Sequence, residues 1–145
     1  MKRLADARLY GIVDLGYVAA GQAAAAAEKL LEGGVDILQL RAKGSSLSEI
    51  AALARAIHAL TSVAGVPLII NDHPQLLREV SAEGVHVGQD DLSVVAARAA
   101  AGRPVIVGKS THSLAQAEAA AAEGADYIGF GPRFATPPRP RRPAI

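Results

Sequence analysis

Three short segments of the sequence repeat one pattern: Gly-Gly-Val-Asp at 33–36, Glu-Gly-Val-His at 83–86 and Glu-Gly-Ala-Asp at 123–126. Each stands between a helix-like stretch and an apolar run. A glycine turn that closes a helix and opens a strand, met three times, implies strand, loop and helix repeated in order. Such units cross over right-handed and lay their strands parallel. Apolar runs predict strands over 9–14, 35–40, 66–70, 85–87, 104–107 and 126–130, with helices over 22–32, 47–64, 75–81, 92–101 and 114–123 between them. In the longest helix Ile50, Leu53, Ala54, Ile57 and Leu60 recur at helical spacing, Ser46 or Ser48 caps its start and Gly65 closes it. Six strands in sequence suit a (β/α)8 barrel better than a doubly wound sheet, whose Gly-x-Gly-x-x-Gly turn is missing after the first strand. The expected fold class is therefore α/β, of TIM-barrel type. About six of the eight barrel units fall within residues 1–132, and 133–145 form a Pro/Arg-rich tail.

Composition narrows the function. At 145 residues the chain amounts to one domain. Alanine supplies much of its apolar content, notably at 23–27 and 119–122, so these segments suit helices packed closely on a flat surface. The absence of Cys excludes thiol catalysis, disulfides and thiolate metal sites. No apolar run approaches the roughly 20 residues of a membrane span, and the start Met1-Lys2-Arg3 lacks a signal segment, so a cytoplasmic protein is expected. Through Pro132 there are 11 Lys and Arg against all 14 Asp and Glu, whereas Arg133, Arg139, Arg141 and Arg142 make the tail basic. Without an aromatic platform or recognition motif that tail predicts neither nucleic-acid nor membrane binding.

The chemistry gathers at strand ends. In Val66-Pro-Leu-Ile-Ile-Asn-Asp72 a proline opens a fully apolar strand and Asn-Asp stops it, which puts a carboxylate where parallel barrels bind ligands. Asn-Asp also suits an Asx turn that caps the next helix. The other strand ends bring Asp14; Gln39, Arg41 and Lys43; Gln89, Asp90 and Asp91; Lys109, Ser110 and His112; and Thr136 to the same rim. Arg41 and Lys43 at alternate positions suit phosphate oxygens, Arg as a planar fork and Lys as a point charge. Asp72 and Asp91 on neighbouring loops suit one Mg2+, which takes a few carboxylates with water and phosphate. Asp90-Asp91 also suit a helix cap beside Leu92, and Arg41 and Lys43 an ordinary salt-bridged rim. Four histidines show no zinc spacing, and His86 is expected to be hydrogen-bonded within its strand.

In order and spacing, Q-L-R-A-K (39–43), I-I-N-D (69–72), G-V-H-V-G-Q-D-D (84–91), G-K-S-T-H (108–112) and G-A-D-Y-I-G-F-G-P-R-F-A-T-P (124–137) resemble the thiamine-phosphate synthase family. The resemblance covers the chain from Leu9 to Pro137. It implies a (β/α)8 barrel that joins hydroxymethylpyrimidine diphosphate to thiazole phosphate with release of pyrophosphate. It also implies that Gln39, Leu40, Arg41, Ala42, Lys43, Asn71 and Ser110 hold the pyrimidine diphosphate, that Asp72 and Asp91 bind Mg2+, and that Thr136, Pro137, Pro138 and Arg139 face the thiazole phosphate. Arg41, Lys43 and Ser110 become the catalytic group. In such a family the pyrimidine C–O bond breaks first, and the thiazole nitrogen captures the resulting cation. The step calls for neutralised phosphate charge in a dry site rather than for a strong base.

Two departures from the family pattern stand out. Pro138 and Arg139 occupy the places of a usual second Thr and a Lys, which removes a hydroxyl and an N–H from the thiazole-phosphate side. No sequence remains for strands seven and eight, so an open arc with unpaired edges is expected, favouring self-association into a homo-oligomer. The ending itself suggests a fragment boundary or a shifted reading frame. Two alternative functions accompany the synthase: an inactive phosphate-binding remnant, and the related thiazole tautomerase.

Overall fold

The computed structural model describes residues 1–132 and 134. Six strands, β1 (Tyr10–Asp14), β2 (Ile37–Arg41), β3 (Leu68–Asn71), β4 (Gly84–Val87), β5 (Ile106–Thr111) and β6 (Tyr127–Phe130), form one sheet in the order β1-β2-β3-β4-β5-β6. Every neighbouring pair is parallel. A doubly wound sheet reverses its strand order at a switch point. Sequential order is barrel order, and this is an arc of six barrel units.

Helices α1 (Ala23–Glu32), α2 (Leu47–Ala64), α3 (Val94–Ala101) and α4 (Leu114–Ala122) connect the strands, with a 3-10 turn over Pro74–Arg78 between β3 and β4. Alternation along each strand decides which residues meet the helices. Val13, Leu38, Leu40, Leu68, Ile70, Val85, Val87 and Val107 point to the helix side, where they form one core with Ala23, Ala27, Ile50, Ala54, Ile57, Val94 and Ala97. The alanines of α1 and α3 allow close approach, as their composition suggests. α2 starts in a capping box, Ser46 and Glu49 each satisfying the other's backbone N–H, and ends at Gly65 in the left-handed region. Among the described residues it is the one helix long and apolar enough to cross a bilayer by length and composition. Its face of Ile50, Ala51, Ala54, Ile57 and Thr61 is buried.

The acid that immediately precedes each of β2, β4 and β6 has a structural task. Asp36 donates its backbone N–H to the carbonyl of Leu9 and accepts the Leu9 N–H on its carboxylate. Glu83 does the same with Leu68, and Asp126 with Val107. Each carboxylate also meets a base: Lys2 at 2.9 Å, His58 at 3.1 Å and Arg98 at 3.0 Å respectively. Three clasps therefore join β1 to β2, β3 to β4 and β5 to β6 at their amino ends, satisfying N–H groups that precede the regular ladder.

Most boundaries fall within two residues of expectation, and three differences bear on the site. The fifth strand runs to Thr111 instead of stopping at 107, so Gly108, Lys109 and Ser110 are strand residues. A Cβ on Gly108 would collide with Cζ of Tyr127, so this glycine is a place of close packing within the sheet and not a strand end. The expected helix over 75–81 is a short 3-10 turn. α3 begins at Val94 with Ser93 as its cap, its hydroxyl accepting from Ala96 N–H, so neither Asp90 nor Asp91 caps it. The outer edges of β1 and β6 carry no partner strand among the described residues, and Ile12, Ile128 and Phe130 are 49%, 40% and 49% exposed there.

Candidate active site

The inner face of the arc encloses an open cavity of about 530 Å3 lined by Tyr10, Asp14, Gln39, Arg41, Asn71, His86, Ser110 and Tyr127, with Ile12, Ile128 and Gly129 at its margins. The register aligns the polar ends: Asp14 stands beside Arg41, Asn71 beside His86, and Ser110 beside Gly129. Four of the expected ligand residues, Gln39, Arg41, Asn71 and Ser110, thus share one cavity.

A hydrogen-bonded chain crosses its floor. Gln39 Nε2 lies 2.8 Å from Tyr10 Oη, Tyr10 Oη 2.8 Å from Tyr127 Oη, Tyr127 Oη 3.0 Å from His86 Nδ1, and His86 Nε2 2.8 Å from Ser110 Oγ. Burial holds the His86 imidazole down to about 4, with the Lys109 charge lowering it further and Asp91 opposing, so the ring is neutral near pH 7. Burial raises both phenols above their ordinary range. With donors counted, one direction satisfies every member: Gln39 donates to Tyr10, Tyr10 to Tyr127, Tyr127 to Nδ1, and Nε2–H to Ser110. The Ser110 hydroxyl hydrogen then remains for a ligand.

Arg41 Nη1 donates to Asp14 Oδ2 at 2.8 Å, which fixes the guanidinium in one orientation and leaves its other N–H groups for a ligand. The salt-bridged rim is therefore real, and so is the placement of Arg41 in the cavity wall. Leu40 and Ala42 belong to the core between sheet and helices, so their side chains face away from this cavity.

Beyond the carboxyl ends of β3 and β4, a second cavity of about 450 Å3 is lined by Asp72, His73, Pro74, Gln75, Val87, Asp90, Asp91 and Leu92. Burial raises the Asp72 carboxyl first, and the neighbouring Asp91 charge raises it again. Asp91 Oδ2 accepts the Gly88 N–H at 2.6 Å, and Lys43 Nζ stands 3.9 Å from Asp72 Oδ2. Lys43, and not Arg41, is the cation beside these carboxylates. The chain reaches this geometry through two successive non-glycine residues with positive φ, Asp72 at 59° and His73 at 51°. Such conformations cost on the order of 1 kcal/mol or more each and gather at functional sites. No side chain caps the following 3-10 turn, so Asn71-Asp72 do not serve as its cap.

Other rim residues take different places. Gln89 Nε2 donates to Ser110 O at 2.6 Å, and His112 Nδ1 donates to Gly131 O at 2.5 Å. Lys109 is buried on the helix side of β5, away from the cavity. Thr136, Pro137, Pro138 and Arg139 lie outside the described residues. Tyr10 and Tyr127 were not singled out from the sequence. Period-two alternation places Tyr10 on the face of Asp14, and the buried network follows once that face is recognised as the inner one.

Parallel strands in sequential order, with polar side chains gathered at their carboxyl ends, define the site plan of the (β/α)8-barrel class. Within it, the chain belongs to the thiamine monophosphate synthase family, whose family model matches residues 9–145. It is 45% identical over 131 residues to the thiamine-phosphate synthase of Halalkalibacterium halodurans, covering 90% of this chain and 62% of that protein. It is 43% identical over 145 residues to the thiamine-phosphate synthase of Caldanaerobacter subterraneus subsp. tengcongensis, covering 100% of this chain and 67% of the other. The solved thiamine phosphate pyrophosphorylase of Pyrococcus furiosus superposes with a TM-score of 0.78 at 29% identity, covering 88% of this chain and 61% of that one. Dihydropteroate synthase of Anaplasma phagocytophilum, at a TM-score of 0.59 and 13% identity, shares the fold alone; the match covers 85% of this chain and 66% of that one. The chain thus spans less than two thirds of the length of several relatives it matches.

Proposed function

We propose that this chain carries the site of a thiamine-phosphate synthase, a transferase that joins hydroxymethylpyrimidine diphosphate to thiazole phosphate and releases pyrophosphate. The observation that carries the reading is the sharing of one cavity by Gln39, Arg41, Asn71 and Ser110, while Asp72 and Asp91 share the next. Amide and hydroxyl groups suit the pyrimidine and the adjoining phosphate, and the free N–H groups of Arg41 suit diphosphate oxygens. The C–O bond to the diphosphate breaks with its electron pair leaving on pyrophosphate, and the thiazole nitrogen lone pair forms the new C–N bond. No protein base is consumed. Arg41, Lys43 and the Ser110 hydroxyl offset the charge of the leaving group, which is where preorganised electrostatics lower the barrier.

The carboxylates fit Mg2+. Two acids held close enough to raise the proton affinity of Asp72 are a donor set that a divalent cation relieves, and Mg2+ completes its shell with water and phosphate. Bound there, it supplies Lewis-acid neutralisation of the departing pyrophosphate. The thiazole phosphate falls to Thr136, Pro137 and Arg139, with Pro138 offering neither hydroxyl nor N–H. The partners are these small molecules, in the cytoplasm, without nucleic acid or membrane.

Pyrophosphate release by the full chain, given both substrates with and without Mg2+, tests the proposal. Mg2+-dependent release, lost in Arg41→Met, is the expected result. Binding of the pyrimidine diphosphate without release overturns the catalytic part. Isomerisation of a thiazole carboxylate phosphate without pyrophosphate replaces it with the tautomerase.

A further inference from the structure

The helix-side positions of β5 are Val107, Lys109 and Thr111, and Lys109 is only 6% exposed. An ammonium in a layer built mostly from Val, Leu, Ile and Ala is costly unless its surroundings compensate it. The compensation lies on one side. Lys109 Nζ donates to the carbonyl of Leu92 at 3.2 Å, and its side chain lines a cavity of about 190 Å3 with Gln89, Asp91, Ser93, Gln116 and Glu123.

All these contacts converge on the loop from Gly88 to Ser93. Gln89 reaches across to the carbonyl of Ser110, and Glu123 accepts the N–H of Val94 just beyond the loop at 3.0 Å. Within the loop, Asp91 bonds the N–H of Gly88. The loop is therefore tied to β5 at two points, with the start of α3 just beyond it held by the residue that follows α4, and Lys109 supplies the charged tie next to Asp91.

We propose that Lys109 is a positioning residue for the cation site, holding through the Leu92 carbonyl the loop that presents Asp91 to Asp72. This role rests on the metal reading of those two carboxylates. A neutral apolar residue would fill the same place in the core but leave the Leu92 carbonyl untied, and Asp91 would sample more orientations.

The test uses the full chain with Lys109→Met, which removes the donor, and Lys109→Arg, whose longer head has the adjoining cavity to occupy. Hydrogen exchange is followed without metal, and Mn2+ alone is titrated by calorimetry. The expected result for Lys109→Met is about tenfold faster exchange confined to amides 89–93, as the loss of one charged-donor hydrogen bond implies, with Mn2+ bound about tenfold more weakly. Lys109→Arg should stay within about threefold of the parent on both readouts, because it keeps a charged donor. Unchanged exchange in Lys109→Met, faster exchange spread over all strands, or an Arg variant as loose as the Met variant each overturns the proposal. A parent chain that binds no Mn2+ overturns the metal reading instead, whereas a parent that binds it and a Met variant that binds it equally well overturn only the role of Lys109.

Discussion

The hydroxyls of Tyr10 and Tyr127 lie 2.8 Å apart across the inner face of the arc, although 117 residues separate them in sequence. The rings stand at 5.7 Å between centroids and 47° between planes. This contact joins β1 to β6, the first and last strands of the sheet among the described residues, and links Gln39 to His86 and Ser110. Tyr127→Phe should therefore destabilise the fold by about 1–3 kcal/mol, since it leaves buried partners unmatched. Adding Tyr10→Phe should cost less than the sum of the two single changes, because they share one network. Urea unfolding of the four proteins checks both statements; strict additivity would count against a shared network.

The neutral His86 makes stability depend on pH. Its folded pKa of about 4 lies below the ordinary 6.5, so the unfolded chain binds the extra proton more readily. The corresponding stability is fully present above pH 6.5 and is lost as pH falls towards 4. NMR of the His86 ring should show titration near 4, and His86→Gln should flatten the stability slope between pH 6.5 and 4. A ring that titrates near 6.5 would contradict the buried environment.

Gly108 accommodates the Tyr127 ring. Gly108→Ala should destabilise by about 1–3 kcal/mol, the usual cost of overpacking, because the added methyl would meet Cζ, Oη and Cε1 of Tyr127. Gly108→Ala combined with Tyr127→Ala should lose less than the two changes separately, because the clash vanishes with the ring. Thermal unfolding of the single and double variants reads the difference.

Asp36 is held down to about 2, chiefly by the backbone N–H of Arg8, then by Lys2 and the N–H of Leu9. A depressed carboxylate contributes stability that is present above its ordinary pKa, near 3.9, and is lost as pH falls towards 2. Asp36→Asn should lower stability at neutral pH and abolish this acid dependence between about pH 4 and 2. Denaturant titrations at pH 3 and pH 7 check it, and equal losses at the two values would exclude the ionised clasp as the cause.

Much of this was legible in the sequence because strands and helices here are written in strong signals. The run Leu68-Ile69-Ile70 is buried on both faces as its composition requires, and Gly65 and Gly102 end their helices in the left-handed region. The lining of the candidate cavity was legible where alternation and strand ends coincide, at Gln39, Arg41, Asn71 and Ser110. The failures have physical causes. Gly108 looks like a strand terminus in one dimension and becomes a packing site only when Tyr127, 19 residues on, lies over it. Leu40 and Ala42 lie in the same five-residue segment as Gln39 and Arg41 but turn to the core, because neighbours along an extended chain face opposite ways. Asp36, Glu83 and Asp126 all fall within the repeated segments, but their bonds to Leu9, Leu68 and Val107 are long-range and carry no local signature.

Those three acids divide each strand pair lengthwise. The foot of the pair is latched by a side chain at the opposite end from the candidate cavity, and the head is at liberty to change its loops. Substrate preference can therefore drift by substitution at one pole while the latch at the other keeps neighbouring strands aligned, and this insulation is a physical route by which one barrel scaffold comes to serve different chemistries.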